Sequence, residues 1–144
     1  MEELLNRQVS RDDLLRLLKE GQAKYGYLPY EFMDGVARAL GLPVNEVYGM
    51  ASFYSFLSLK PVGRNVIKVC KCLPCHIKGG PALLAALQAE LGIGIGETTE
   101  DGRFTLHLTN CIGACDEAPA LMVNGSRHGR VEPERIREIL ASYA

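Results

Sequence analysis

Apolar residues recur at helical spacing through the first part of the chain and in short strand-like runs through the rest. Ser10 with Asp13 forms a capping-box start, and Leu14, Leu17 and Leu18 follow at helical intervals until Gly26 breaks the pattern. Pro29 opens a second helix with Phe32, Val36, Ala37 and Leu40 on one face and Gly41 where a left-handed cap is expected. Val44, Val47, Tyr48 and Ala51 predict a third, shorter helix. The aromatic segment K-Y-G-Y-L-P-Y-E-F, which includes Tyr25 to Phe32, serves either the packing of this hairpin or the docking of another subunit, since aromatic residues are enriched in both settings.

The texture changes near Lys60-Pro61-Val62-Gly63. This divides the chain into a helical region, residues 1–62, expected to act as a docking element, and an α/β domain, residues 63–144. In the second part N-V-I-K-V-C reads as a β-branched strand, and P-A-L-L-A-A-L-Q-A-E-L as a helix carrying Leu83, Leu84, Leu87 and Leu91 on one side. A glycine-rich loop from Gly92 to Gly102 leads into R-F-T-L-H-L-T, where Phe104, Leu106 and Leu108 alternate with polar residues. Such a β-α-β unit has parallel strands joined by a right-handed crossover. A-L-M-V and R-H-G-R-V then flank Asn124-Gly125, a dipeptide suited to a two-residue hairpin turn, and Pro133 starts a last helix with Ile136, Ile139 and Leu140. Strand, helix, strand, hairpin, helix is the order of a thioredoxin-like α/β domain, and Pro119 falls where such folds often hold a cis proline.

Composition narrows the function classes. With 144 residues, 47% of them hydrophobic, the chain can bury a core without disulfides or metal. Sixteen basic and 17 acidic residues give a net charge of -1, which argues against a nucleic-acid partner. No apolar run is long enough to span a bilayer, and the opening M-E-E-L-L-N-R-Q is neither a signal peptide nor a transit sequence, so the protein is expected to start at Met1 in a cytosol. In that reducing setting five cysteines in two short segments read as metal ligands or redox thiols before disulfides.

In a parallel β-α-β unit the loops leaving the two strand ends emerge side by side. Cys70 and Cys75 lie at the end of the first strand, Cys111 and Cys115 just past the second, so a C-x4-C pair meets a C-x3-C pair. Four thiolates from two loops suit a [2Fe-2S] cluster with two sulfurs on each iron, and Gly113 and Ala114 leave room for backbone amides to approach those sulfurs. Two other readings remain open at this point. Cys72 and Cys75 as a C-x2-C pair, with Cys111 and Cys115, would suit structural zinc. Cys72 and Cys75 alone would suit a thiol-disulfide oxidoreductase, although P-C-H reads as leading into another loop where a redox dithiol would open a helix. His76, His107 and His128 are read as non-ligands, because no second histidine adjoins either cysteine pair. G-I-G-I-G-E follows a helix and lacks the dinucleotide-binding order, so no NAD site is expected on this chain.

The segments Y-G-Y-L-P, G-L-P-V-N-E-V-Y-G-M-A-S-F-Y, K-P-V-G, V-C-K-C-L-P-C, G-E-T-T-E-D-G-R-F-T-L and N-C-I-G-A-C-D-E-A-P-A-L-M-V-N closely resemble the thioredoxin-like [2Fe-2S] subunit of respiratory complex I. The same module occurs in NAD(P)-linked electron-bifurcating hydrogenases and formate dehydrogenases. The resemblance runs from about Tyr25 to Ile139 and implies the cluster ligands Cys70, Cys75, Cys111 and Cys115. Cys72 departs from the pattern and is read as a non-ligand thiol near the cluster. A hydride carrier delivers two electrons and a cluster accepts one, so a flavin must stand between them. The resemblance implies that FMN and NAD(P)(H) are bound by a separate flavoprotein subunit, with further iron-sulfur subunits in the same complex. The expected role is therefore single-electron transfer in a cytoplasmic complex, peripheral to a membrane if the complex is attached to one. A scaffold that carries the cluster without carrying current is the remaining alternative.

Overall fold

The computed structural model describes residues 10–143. The opening segment read for a targeting signal, residues 1–9, lies outside the described residues. The chain divides into two compact units, one ending at Pro61 and the other beginning at Val62.

The first unit is helical. The Ser10 N–H donates to Asp13 Oδ2 at 2.9 Å, closing the capping box over a short 3-10 turn, Arg11–Asp13. The chain then continues as α1 (Leu14–Tyr25), α2 (Tyr30–Leu40) and α3 (Val44–Phe53). Gly26 ends α1 at φ 77° and Gly41 ends α2 at φ 64°, left-handed conformations in which a β-carbon is costly. Leu14, Leu17, Leu18, Leu28, Phe32, Met33, Val36, Ala37, Val47 and Ala51 form the core of this unit. Leu28 and Phe32 are fully buried and the Tyr25 ring packs on Phe32 at 5.6 Å. Much of the aromatic segment is therefore packing. The aromatic side chains that stay exposed are Tyr30, Tyr48, Phe53, Tyr54 and Phe56, most of them in and after α3. Gln22 fastens the exit: its side-chain N–H donates to Gly26 O at 2.8 Å, and its Oε1 accepts the Ser58 N–H at 2.9 Å.

The second unit is built on a four-stranded sheet of β1 (Asn65–Cys70), β2 (Phe104–Thr109), β3 (Leu121–Val123) and β4 (Ser126–His128), in the order β2-β1-β3-β4. β1 and β2 run parallel, while β3 is antiparallel to both of its neighbours. Between β1 and β2 lie α4 (Leu73–Ile77) and α5 (Gly80–Leu91), and the domain ends with α6 (Ile136–Ala141). Ile67, Val69, Leu106, Leu121 and Val123 pack with Leu83, Leu87, Ile136, Ile139 and Leu140 into a continuous core. Asn124 and Gly125, at φ 49° and 90°, make the two-residue hairpin turn with both central residues left-handed. The Ala118-Pro119 bond is cis.

Two expectations change. The segment after Cys72 is not a loop: it forms α4, with Cys72 at its N-cap and Cys75 within it. A single helical turn is too short to show in a sequence pattern and is held by tertiary contacts. The alternation in β2 is also incomplete, since Thr105 and Thr109 are buried as deeply as Phe104 while Leu108 is only half-buried. Thr105 Oγ1 accepts the Gly63 N–H at 2.6 Å and lies 2.7 Å from Thr98 Oγ1, so its burial is satisfied. Residues 96–99 lie along the outer side of β2, with Leu106 N–H donating to Glu97 O at 3.1 Å and Thr99 N–H to Phe104 O at 2.9 Å.

Candidate metal centre

Register brings the cysteines together. Cys70 is the last residue of β1 and stands opposite Thr109, the last residue of β2, so chain leaving either strand enters the same region. The Cys70 N–H donates to Ala120 O at 3.2 Å and the Lys71 N–H to Thr109 O at 3.0 Å, tying the first cysteine loop to β2 and to the segment entering β3. Cys70 and Cys75 are 3% and 1% exposed and pack with Ile112, Ala114, Ala118 and Ala120 in a small apolar cluster. Gly80 lies so close beneath α4 that a β-carbon on it would stand 2.8 Å from Cys75 O.

Cys111 and Cys115 are exposed on the loop after β2, with their sulfurs 3.4 Å apart. The turn between them depends on Gly113 at φ 75°. Its N–H donates to Cys111 Sγ at 3.3 Å, and its carbonyl accepts from the Arg127 guanidinium at 3.2 Å. Cys72, at the N-cap of α4, is near enough to Cys70 and to the Cys111 backbone for both to act on its thiol. Among the residues that sequence reasoning passed over are Gly80 and Arg127. Neither belongs to a recognisable motif, and only the fold brings them to the cysteines.

The electrostatics of the thiols follow from this packing. Burial and then a hydrogen bond toward Cys70 push the Cys75 thiol up to about 11. Burial followed by the proximity of Cys70 raises Cys72. The Gly113 N–H, followed by the Cys115 thiol, holds Cys111 below its ordinary value, and Cys115 is raised because it donates toward Cys111. Of the exposed pair, Cys111 is thus the thiol that more readily becomes a thiolate, the form that binds metal.

The donor set is five thiols with no imidazole among them: His76 is exposed on α4, His107 is half-buried on β2, and His128 pairs with Tyr143 Oη at 2.9 Å. Thiolates about 2.3 Å from one tetrahedral metal stand roughly 3.8 Å apart, little more than the Cys111–Cys115 spacing. Among the described residues no three or more His, Cys, Asp or Glu side chains form a group that could hold one metal ion. Sulfurs arranged as neighbouring pairs, with backbone N–H groups aimed at them, fit a two-iron cluster, which takes two protein sulfurs per iron.

Comparison with known proteins points to the same cofactor. The sequence profile of the thioredoxin-like [2Fe-2S] ferredoxin family matches residues 1–144. The chain is similar to the E subunit of the NADH-quinone oxidoreductase of Pseudomonas aeruginosa, with 41% identity over 90% of this chain and 78% of that protein. It is also similar to the HndA subunit of the NADP-reducing hydrogenase of Solidesulfovibrio fructosivorans, with 38% identity over 90% of this chain and 76% of that one. Among solved structures, an NAD+-reducing [NiFe]-hydrogenase in the H2-reduced state superposes with a TM-score of 0.78 at 30% identity. That match covers 91% of this chain but only 22% of the hydrogenase polypeptide.

Proposed function

Because the chain belongs to the thioredoxin-like [2Fe-2S] ferredoxin family, we propose that it is the electron-transfer subunit of an NAD(P)(H)-linked oxidoreductase complex and holds one cluster on Cys70, Cys75, Cys111 and Cys115. The observation that carries the ligand assignment is the delivery of two cysteine pairs to one sheet edge by the parallel β1–β2 register. When bound, the cluster supplies a one-electron redox centre. The protein's part is to hold the sulfurs in place. Cys70 and Cys75 are fixed by β1 and α4, while Cys111 and Cys115 are presented by a loop whose Gly113 N–H neutralises part of the charge on sulfur.

FMN and NAD(P)(H) belong, in this reading, to a flavoprotein partner, with further iron-sulfur subunits beyond it. Residues 1–62 serve as a docking element through the exposed aromatic side chains Tyr48, Phe53, Tyr54 and Phe56. Exposed aromatic clusters of this kind are more typical of interfaces than of free surface. Among the described residues no helix is long and apolar enough to cross a membrane. A cytoplasmic subunit that meets a membrane only through its complex fits that pattern. The zinc and dithiol readings lose support, because the family is a ferredoxin family and the Cys72 thiol, which would have to attack from the N-cap of α4, is raised by burial where a redox dithiol needs it lowered.

The test is anaerobic purification with iron, zinc and acid-labile sulfide assays, followed by electron paramagnetic resonance after reduction. About two irons and two sulfides per chain with a one-electron signal are expected. Zinc in place of iron would overturn the reading.

A further inference from the structure

We propose that Arg127 is a positioning residue for the cluster: its guanidinium, held on the Gly113 carbonyl, fixes the Cys111–Cys115 loop and raises the reduction potential of the centre those cysteines hold. This rests on the cluster assignment above. It goes beyond that assignment because Arg127 lies on β4, outside both cysteine segments.

The contact has a definite chemistry. Arg127 Nη1 donates to Gly113 O at 3.2 Å, across a sequence separation of 14 residues. The same glycine donates its N–H to Cys111 Sγ at 3.3 Å. One residue therefore takes a cationic donor on its carbonyl side and gives its own donor to a ligand sulfur. The two bonds lie on successive peptide groups of one tight turn, so the guanidinium helps hold in place the amide that faces the ligand sulfur. The peptide joining Gly113 to Ala114 has its oxygen on the guanidinium, which makes its own N–H a stronger donor within the cysteine loop.

Charge acts in the same direction. A cluster on four thiolates is anionic in both redox states and gains one further negative charge when it takes an electron, so a nearby fixed cation favours the reduced state. Arginine suits this place better than lysine, because its planar fork keeps both charge and direction on a carbonyl. Gly113 is required by its backbone and not by crowding: a β-carbon on it would stand at an ordinary 3.7 Å from Arg127 Nη1, but its φ of 75° is one that a substituted residue adopts only with strain.

The experiment uses the full chain with its cluster, as wild type, Arg127→Gln and Arg127→Lys, in spectroelectrochemical titration at low ionic strength, where an exposed charge is least screened. Amide hydrogen exchange over residues 111–115 is measured on the same three proteins without the cluster. The midpoint potential is expected to fall in Arg127→Gln and to lie between the other two in Arg127→Lys. Exchange at Gly113 and Ala114 is expected to quicken in Arg127→Gln. An unchanged or higher potential in Arg127→Gln, with the wild-type cluster present, overturns the proposal and leaves the cluster reading intact. A wild type that takes up no iron defeats the cluster reading itself, and unchanged exchange in Arg127→Gln then removes the structural role of Arg127 as well.

Discussion

The two cysteine pairs occupy different kinds of structure. Cys70 and Cys75 are buried, one at the end of a strand bonded on both sides and the other in a helix pressed against Gly80. Cys111 and Cys115 are exposed, on a loop shaped by one left-handed glycine and one arginine contact. The first pair is positioned by the same packing that stabilises the domain, whereas the second depends on a few local interactions. Damage to the two halves should therefore read out differently, the first through folding and the second through the metal centre alone.

The largest contrast is expected in Cys111→Ser. Iron should be lost entirely, while thermal unfolding of the cluster-free chain stays within about 0.5 kcal/mol of the parent, as for a surface substitution. A marked loss of stability would break the comparison. Thiol labelling of the cluster-free chain at neutral pH sharpens it: Cys111 should react first and Cys75 last, separated by roughly tenfold or more in rate, since Cys111 is exposed with its thiol lowered and Cys75 is buried with its thiol near 11. Raising the pH should narrow that gap as Cys75 begins to ionise.

Gly80→Ala acts on the buried half. A β-carbon there runs into the Cys75 carbonyl, and relieving that overlap should cost about 1–3 kcal/mol, measured by denaturant unfolding, with iron retention falling alongside. Gly113→Ala is the matching change on the exposed half. Its left-handed backbone should cost about 1–2 kcal/mol locally, seen as faster release of iron to a chelator with less effect on global unfolding. The smallest effect is expected for Cys72→Ser, which should leave about two irons per chain; loss of iron in this variant alone would move a ligand to Cys72.

Much of this was legible in the sequence because local signals and tertiary demands coincide. Ser10 and Asp13 cap the first helix as read, Gly26 and Gly41 end helices in left-handed conformations, and Asn124-Gly125 makes the hairpin turn. The β-α-β order was enough to predict that both cysteine pairs leave the same edge. What stayed hidden depended on contacts distant in sequence. α4 is one turn long and carries a proline, so no periodicity marks it. Thr105 and Thr109 look solvent-facing by alternation, and the partners that allow Thr105 to be buried come from Gly63 and Thr98. Leu28 lies in the same aromatic-rich segment as Tyr30, and only the packing of the first unit separates the buried leucine from the exposed tyrosine. Arg127 gave no signal, because its partner is a backbone carbonyl, and any loop could have offered one.

The pairing of residues 96–99 along β2 bears on how the molecule can assemble. With the first half of that flank, residues 104–106, already hydrogen-bonded, the sheet's other margin is β4, three residues long and bearing Arg127. So short and charged a margin is a poor template for a foreign strand. Both margins thus offer little free backbone for ribbon-to-ribbon stacking, which is discouraged even when the chain is made in excess.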